Sequence, residues 1–263
     1  NPTGLGSYTG INATGVTASG DVLFATHPSF SLMAIDISDP TSPVLRGTES
    51  LGYNLLDVCL GGQYAYVAGY TYGMYIVDVK SPWAPSERGD YNTAGSCNGV
   101  DVAGDYVFAA DGSAGLQVIS VADPWNPTLA GSYNTSGTAE DVAVVGDYAF
   151  LADGTGGLVV IDVEDPTNPT FVTSVAASNN VRHVAVAGDH LYVADGGLRI
   201  YDISVPWEPA FVQHCSTPGV AWNVALNGDY AYVADGSGGL TVVRIAEPLE
   251  TAHKLGDCEM LGV

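Results

Sequence analysis

The chain has 263 residues, with 29 acidic against 7 basic side chains for a net charge of −22, 46% hydrophobic residues and 33 glycines. Such a charge repels nucleic acid, whose phosphates need clustered Lys and Arg, and repels anionic membrane surfaces. No apolar run approaches the roughly 20 residues that a membrane-spanning helix requires, so neither nucleic acid nor membrane insertion fits the composition.

In chain order, the first predicted element is Asn1-Pro2-Thr3-Gly4-Leu5-Gly6-Ser7-Tyr8, a near-copy of Asn126-Pro127-Thr128-Leu129-Ala130-Gly131-Ser132-Tyr133. Six repeats follow. Their marker glycines, Gly20, Gly62, Gly104, Gly146, Gly188 and Gly228, stand 42, 42, 42, 42 and 40 residues apart. A period of about 40–50 residues with several short strands per unit marks a β-propeller blade. A lone blade leaves both faces bare, so blades stack around a ring. The sequence therefore predicts a single all-β domain over 1–263: a six-bladed β-propeller of four-stranded antiparallel blades, closed by a terminal strand.

Blade 4 shows the pattern most fully. Asp141–Val145 runs into a Gly146-Asp147 turn, Tyr148–Ala152 into Asp153-Gly154, and Leu158–Val163 into Asp165-Pro166 and Pro169. A divergent fourth strand follows near Thr170–Val175. Val, Ile, Tyr and Phe bounded by Gly, Asp, Asn and Pro is hairpin chemistry, and proline without an amide donor stops pairing. At the chain's end, residues 249–263 form a tail. Residues 1–10 are the favoured closing strand, beside Leu240–Ile245; the alternative closing strand is Lys254–Cys258.

The third strands Leu158-Val159-Val160-Ile161-Asp162, Met74-Tyr75-Ile76-Val77-Asp78 and Leu198-Arg199-Ile200-Tyr201-Asp202, with the DPTNP turn at 165–169, resemble the LVIVD-repeat family. The likeness spans all six units and departs at Ser120 and Arg244, which replace the aspartate. It implies a β-propeller of bacterial or archaeal surface or secreted proteins. It brings no general catalytic motif, so no active-site residue carries over.

Aligned on the glycines, Val16, Val58, Val100, Val142, Val184 and Val224 recur, as packing between blades requires. Just ahead of them, Thr14, Leu56, Asn98, Glu140, Arg182 and Trp222 all differ. Between these sets stand Gly15, Asp57, Gly99, Asp141, His183 and Asn223. Both series rim one end of the central channel, together with the hairpins His27–Phe30 and Gly69–Tyr72. Variation on a rigid frame points to a binding mouth. Its predicted ligand residues are Trp222, Arg182, Glu140, His183, Asn98, Asn223, Asp57, Tyr70, Tyr72 and Phe30: aromatic platforms with polar anchors, suited to a glycan, peptide or protein segment.

Other readings compete. Glu140, Asp141, Arg182 and His183 could serve a polysaccharide hydrolase or lyase. Asp57, Asp101, Glu140 and Asp141 could direct oxygens to a structural Ca²⁺, although no cofactor is required. On the opposite face, Trp83, Trp125 and Trp207 follow prolines and either cover blade edges or form a patch for self-association. Four scattered cysteines, Cys59, Cys97, Cys215 and Cys258, show no zinc spacing, and a disulfide from Cys258 would staple the tail to the ring. The expected function is a non-catalytic extracellular or cell-surface interaction module, with a self-assembling structural subunit as the alternative.

Overall fold

A computed structural model describes residues 7–8, 12–29, 31–52, 54–245 and 260–261. Its strands fall into six antiparallel four-stranded sheets, each a simple meander, so the chain is a six-bladed β-propeller. Apart from a single 3₁₀ turn at Gly236–Gly238, the described residues contain no helix. Blade 4 runs Asp141–Val145, Tyr148–Ala152, Leu158–Asp162 and Thr170–Val175, as its turn chemistry requires. The first strands of successive blades pack side by side: Asp57–Gly61 on Gly99–Ala103, that on Asp141–Val145, then Val181–Ala187 and Asn223–Asn227.

Apolar side chains interleave between the blades. Phe108, Leu116 and Val118 of blade 3 meet Val142, Leu151 and Ile161 of blade 4 in one buried cluster. Equivalent clusters join blades 1 and 2, 2 and 3, 4 and 5, and 5 and 6. Both faces of the middle strands are thus buried, which accounts for their unbroken runs of Val, Ile, Leu and Tyr.

The repeat's polar residues have defined tasks. Asp36, Asp78, Asp162 and Asp202, at the end of each LVIVD-type strand, accept the amide of the residue two positions on at 2.8–3.0 Å. This Asx turn launches the proline loop. The fourth strand then shifts register by one residue, between Val160 and Ile161 in blade 4. Beside the equivalent bulge of blade 3, between Val118 and Ile119, a glycine lets blade 4 approach: a Cβ on Gly131 would lie 2.5 Å from the Pro166 carbonyl oxygen.

The terminal expectation needs correction. The outermost strand of blade 6 is Met260–Leu261, paired with Val243 and Val242. It is drawn neither from residues 1–10 nor from Lys254–Cys258. Within 1–10 only Ser7 and Tyr8 are described; Lys254–Cys258 lies outside the described residues. Cys59 and Cys97 are free thiols and Cys215 is disulfide-bonded; the expectation for Cys258 also lies outside the described residues.

Candidate functional site

The rim residues share one backbone register. The amides of Leu56, Asn98, Glu140 and Trp222 each donate to the carbonyl of the last residue of the neighbouring second strand at 2.8–2.9 Å, and that of Thr14 to the Thr26 carbonyl, one residue before the strand's end, at 3.0 Å. In blade 5 the pairing slips between Val181 and His183, which makes Arg182 the extra residue of a bulge. Bulges re-aim side chains. The Arg182 guanidinium carbon stands 3.7 Å from the centroid of the Trp222 ring, a cation–π contact between blades 5 and 6. Burial raises the Glu140 carboxyl above its ordinary pKa, partly offset by the positive charge of Arg182. Glu140, Arg182 and Trp222 are therefore brought together.

Across the mouth, Tyr70 has a φ of +52° and Tyr72 follows it on the same hairpin. Tyr70 exchanges backbone hydrogen bonds with Cys97, as Gly112 does with Ala139 and Gly154 with Val181. Those glycines have φ of +56° and +57°. Tyr70 thus holds a left-handed conformation that other blades assign to glycine, at a cost of order 1–3 kcal/mol. Both tyrosines are exposed. Phe30 lies outside the described residues.

The second series does other work. Asp57, Asp101 and Asp141 each accept the amide of a residue in the next blade's first strand: Val100 at 3.1 Å, Val144 at 2.8 Å and Val184 at 3.0 Å. Gly99 makes room for its larger neighbour, since a Cβ there would lie 2.5 Å from Asp141 Oδ1. Variation along Gly15, Asp57, Gly99, Asp141 and His183 is thus explained in part by alternation of small and large residues around a narrow channel. The Asn98 side chain likewise donates to the Ala139 carbonyl at 2.9 Å, while Asn223 is exposed.

His183 Nε2 stands 3.5 Å from Asp141 Oδ2. His183 keeps 23% of its side-chain surface accessible, but protein surrounds it, and this desolvation lowers its pKa to about 4. Burial raises Asp141 to about 7; burial and then the nearby Asp141 charge raise Asp57 to about 6. The group can hold protons near neutrality. Among the described residues no set of three or more His, Cys, Asp or Glu side chains is arranged to hold a metal, and these channel carboxylates are turned to backbone amides.

One set of polar residues escaped the sequence reading. Asp111, Asp153 and Asp235, each the first residue of an Asp-Gly turn, are fully buried. Each accepts a threonine hydroxyl at 2.5 Å, from Thr93, Thr135 and Thr217, and a glycine amide, from Gly95, Gly137 and Gly219, at 2.7–2.9 Å. In blade 5, Asp195 instead accepts two backbone amides, those of Ser178 and Asn179. These staples fix the loop that enters each blade against that blade's own hairpin. The available signal was a Thr-x-Gly placed 18 and 16 residues before an Asp.

On the opposite face Trp125 and Trp207 lean on the preceding blade. Arg88 lies 5.1 Å above the Trp125 ring, and Tyr148 lies 5.9 Å from Trp207. Trp83, Trp125 and Trp207 nevertheless keep 45–64% of their surface exposed.

The six-blade meander with an Asx-capped third strand in four blades accompanies a direct sequence match: the LVIVD repeat matches at 11–49, 55–93, 94–135, 136–177, 179–217 and 218–250. The chain belongs to the LVIVD-repeat family. Among solved structures, this LVIVD propeller is similar to a "putative 6-phosphogluconolactonase" from Bacteroides uniformis, with 14% identity, 97% of this chain and 86% of that chain covered, and a TM-score of 0.82. It is also similar to a functionally unknown protein from Desulfotomaculum acetoxidans (14% identity, 93% and 87% covered, TM-score 0.79) and to the WD40 repeats of RRP9 (11% identity, 97% and 81% covered, TM-score 0.77). At such identities the likeness establishes the fold alone. No curated protein matches the chain in sequence.

Proposed function

We propose that this LVIVD propeller is a non-catalytic binding module, extracellular or on a cell surface, that takes a glycan or peptide chain across the mouth. Tyr70 and Tyr72 form one platform and Trp222, held under Arg182, the other, with Glu140 as a polar anchor. The observation that carries this reading is the left-handed Tyr70. Glycine would relieve the strain, so a tyrosine kept at that place is serving something other than the turn. The surface charge of −22 fits a protein kept soluble outside the cell. The alternative, a self-associating subunit, draws on the three exposed tryptophans of the opposite face. A hydrolase or lyase draws only on the proton-holding group in the channel.

The test compares the protein with its Tyr70→Gly variant on glycan and peptide arrays and in thermal melts. Binding by the parent, lost in the variant with an equal or higher melting temperature, supports the reading. Equal binding by both would move the site elsewhere, and a lower melting temperature would make Tyr70 a structural residue.

A further inference from the structure

On the face opposite the mouth, the width of the cleft between two blades depends on one repeat position. Two residues after each marker glycine stand Val22, Tyr64, Tyr106, Tyr148, His190 and Tyr230. Tyr64, Tyr106 and Tyr148 pack against the apolar cluster shared with the following blade. Val22 takes the same place in blade 1 and is shorter by a phenol ring. There the structure holds a cleft of about 400 Å³, walled by Phe24 of blade 1 and by Leu60, Val79 and Pro82 of blade 2. That volume suits a small molecule. Gly47 brings the outer wall close, since a Cβ there would lie 2.7 Å from the Pro82 carbonyl oxygen.

The polar groups of this cleft also depart from the repeat, and all in one direction. Directly after the marker glycine the other five blades carry Asp21, Asp105, Asp147, Asp189 and Asp229, whereas blade 2 carries Gln63. Where other blades place Ser38, Ala122, Glu164 and Ser204, blade 2 places Lys80, one of two lysines in the chain. The Val79 amide donates to the Gln63 carbonyl at 2.8 Å, which sets Gln63 and Lys80 beside each other at the cleft. Neighbouring Asp78 is paired with Arg88 at 2.9 Å, and among the described residues Lys80 has no carboxylate partner. A second cleft, of about 490 Å³, opens between blades 5 and 6 where His190 replaces the tyrosine, but it keeps Asp189 and Asp229 beside His190 and Arg244. A missing ring thus accompanies a cleft in both places. Between blades 1 and 2 a carboxylate has also become an amide and a cation has been added, in a chain of net charge −22.

We propose that the cleft between blades 1 and 2 binds a small organic carboxylate with an apolar body. The body lies where other blades put a tyrosine ring, and the carboxylate meets Lys80 and the Gln63 side chain. Gln63 Nε2 donates to the Tyr64 hydroxyl at 3.0 Å, and its second N–H remains for an acceptor. A charge-assisted contact of this kind favours the acid over its neutral analogue. The site is separate from the mouth and does not depend on what the mouth binds.

The test titrates naphthoate and octanoate, each with its neutral amide, into the parent and the variants Val22→Tyr, Gln63→Asp and Lys80→Gln by calorimetry. At least one acid should bind the parent with a Kd below about 1 mM, and at least about fivefold tighter than its amide. Val22→Tyr, which restores the repeat's own residue, should abolish binding and melt at the same temperature or higher. Gln63→Asp and Lys80→Gln should each weaken the acid by about fivefold or more and leave the amide unchanged. Both side chains are exposed, so these two variants should melt within about 2 °C of the parent. A parent that binds neither acid, an acid bound no more tightly than its amide, or binding that survives a stable Val22→Tyr overturns the proposal. If Val22→Tyr melts lower than the parent, the charge variants decide: weakened acid binding in both upholds the site, and unchanged binding in either overturns it.

Discussion

The Asp153 carboxylate accepts the Thr135 hydroxyl at 2.5 Å and the Gly137 amide at 2.9 Å, which ties the loop entering blade 4 to that blade's own hairpin. Asp153 is completely buried. Burial raises its pKa, and the threonine and glycine hydrogen bonds work against that rise. Asp153→Ala strands both donors, each costing about 1–3 kcal/mol. The melting temperature should fall by about 5–15 °C, and Thr135→Val, which removes one donor, should cost less. Calorimetry of the two variants checks this; a shift under about 2 °C for Asp153→Ala would show that the staple contributes little. Gly137→Ala should also be disruptive, because its Cβ would collide with the Asp153 carbonyl oxygen.

The channel carboxyls set the direction of the pH dependence. Folded Asp141 and Asp57 keep their protons up to about 7 and about 6, against an ordinary value of 3.8. Through that window the folded chain binds more protons than the unfolded one, so these groups favour folding as the pH falls from 7 towards 4. His183 opposes them: its pKa drops from 6.5 to about 4 on folding, so its share of stability is lost as the pH falls through the same range. Two carboxyls outweigh one imidazole, and acidification also relieves the overall negative charge. The melting temperature should therefore rise between pH 8 and pH 5. Asp141→Asn should match or exceed the parent at pH 8 and lose that advantage by pH 5. A parent that melts lower at pH 5 than at pH 8 would contradict this.

Trp125 separates the two uses of the opposite face. Its ring carries Arg88 at 5.1 Å, an exposed cation–π contact worth about 0.5–1 kcal/mol. Trp125→Ala should lower the melting temperature by only about 1–4 °C. If the face only covers blade edges, the mass by light scattering stays the same. If it mediates self-association, the variant's particles become smaller than the parent's.

The fold was legible because packing repeats. One valine per unit, six glycine turns and the Asp that ends the third strand recur at a fixed spacing, and each recurs for a local physical reason. The mouth was only partly legible. Asp57 and Asp141 vary against Gly15 and Gly99 because the channel wall alternates large and small, and only interblade geometry shows it. Arg182 reaches Trp222 through a bulge that no single-strand pattern announces. The strained Tyr70 was visible as a departure from Asp-Gly, but its left-handed φ was not. The outer strand of blade 6 lacked a repeat signal altogether, so the better-marked N-terminal segment was assigned to it.

The Arg182–Trp222 pair gives the sharpest test of the mouth. Trp222 is 53% exposed and its stacking with Arg182 joins two blades that a buried apolar cluster already holds together. Truncating the ring should cost about 0.5–1 kcal/mol of stability, a shift of about 1–4 °C. A binding platform behaves differently, since aromatic and arginine anchors commonly carry 2 kcal/mol or more, about a 30-fold loss of affinity. Trp222→Ala and Arg182→Ala should each weaken binding of any array-identified glycan or peptide by that factor while the propeller still melts cooperatively. Arg182→Lys should recover only part, because lysine keeps the charge but loses the flat guanidinium that stacks on the ring. Titration calorimetry on the four proteins decides: undiminished affinity in Trp222→Ala would remove this half of the mouth from the site, whereas equal losses in the two alanine variants would show that ring and guanidinium act as one unit.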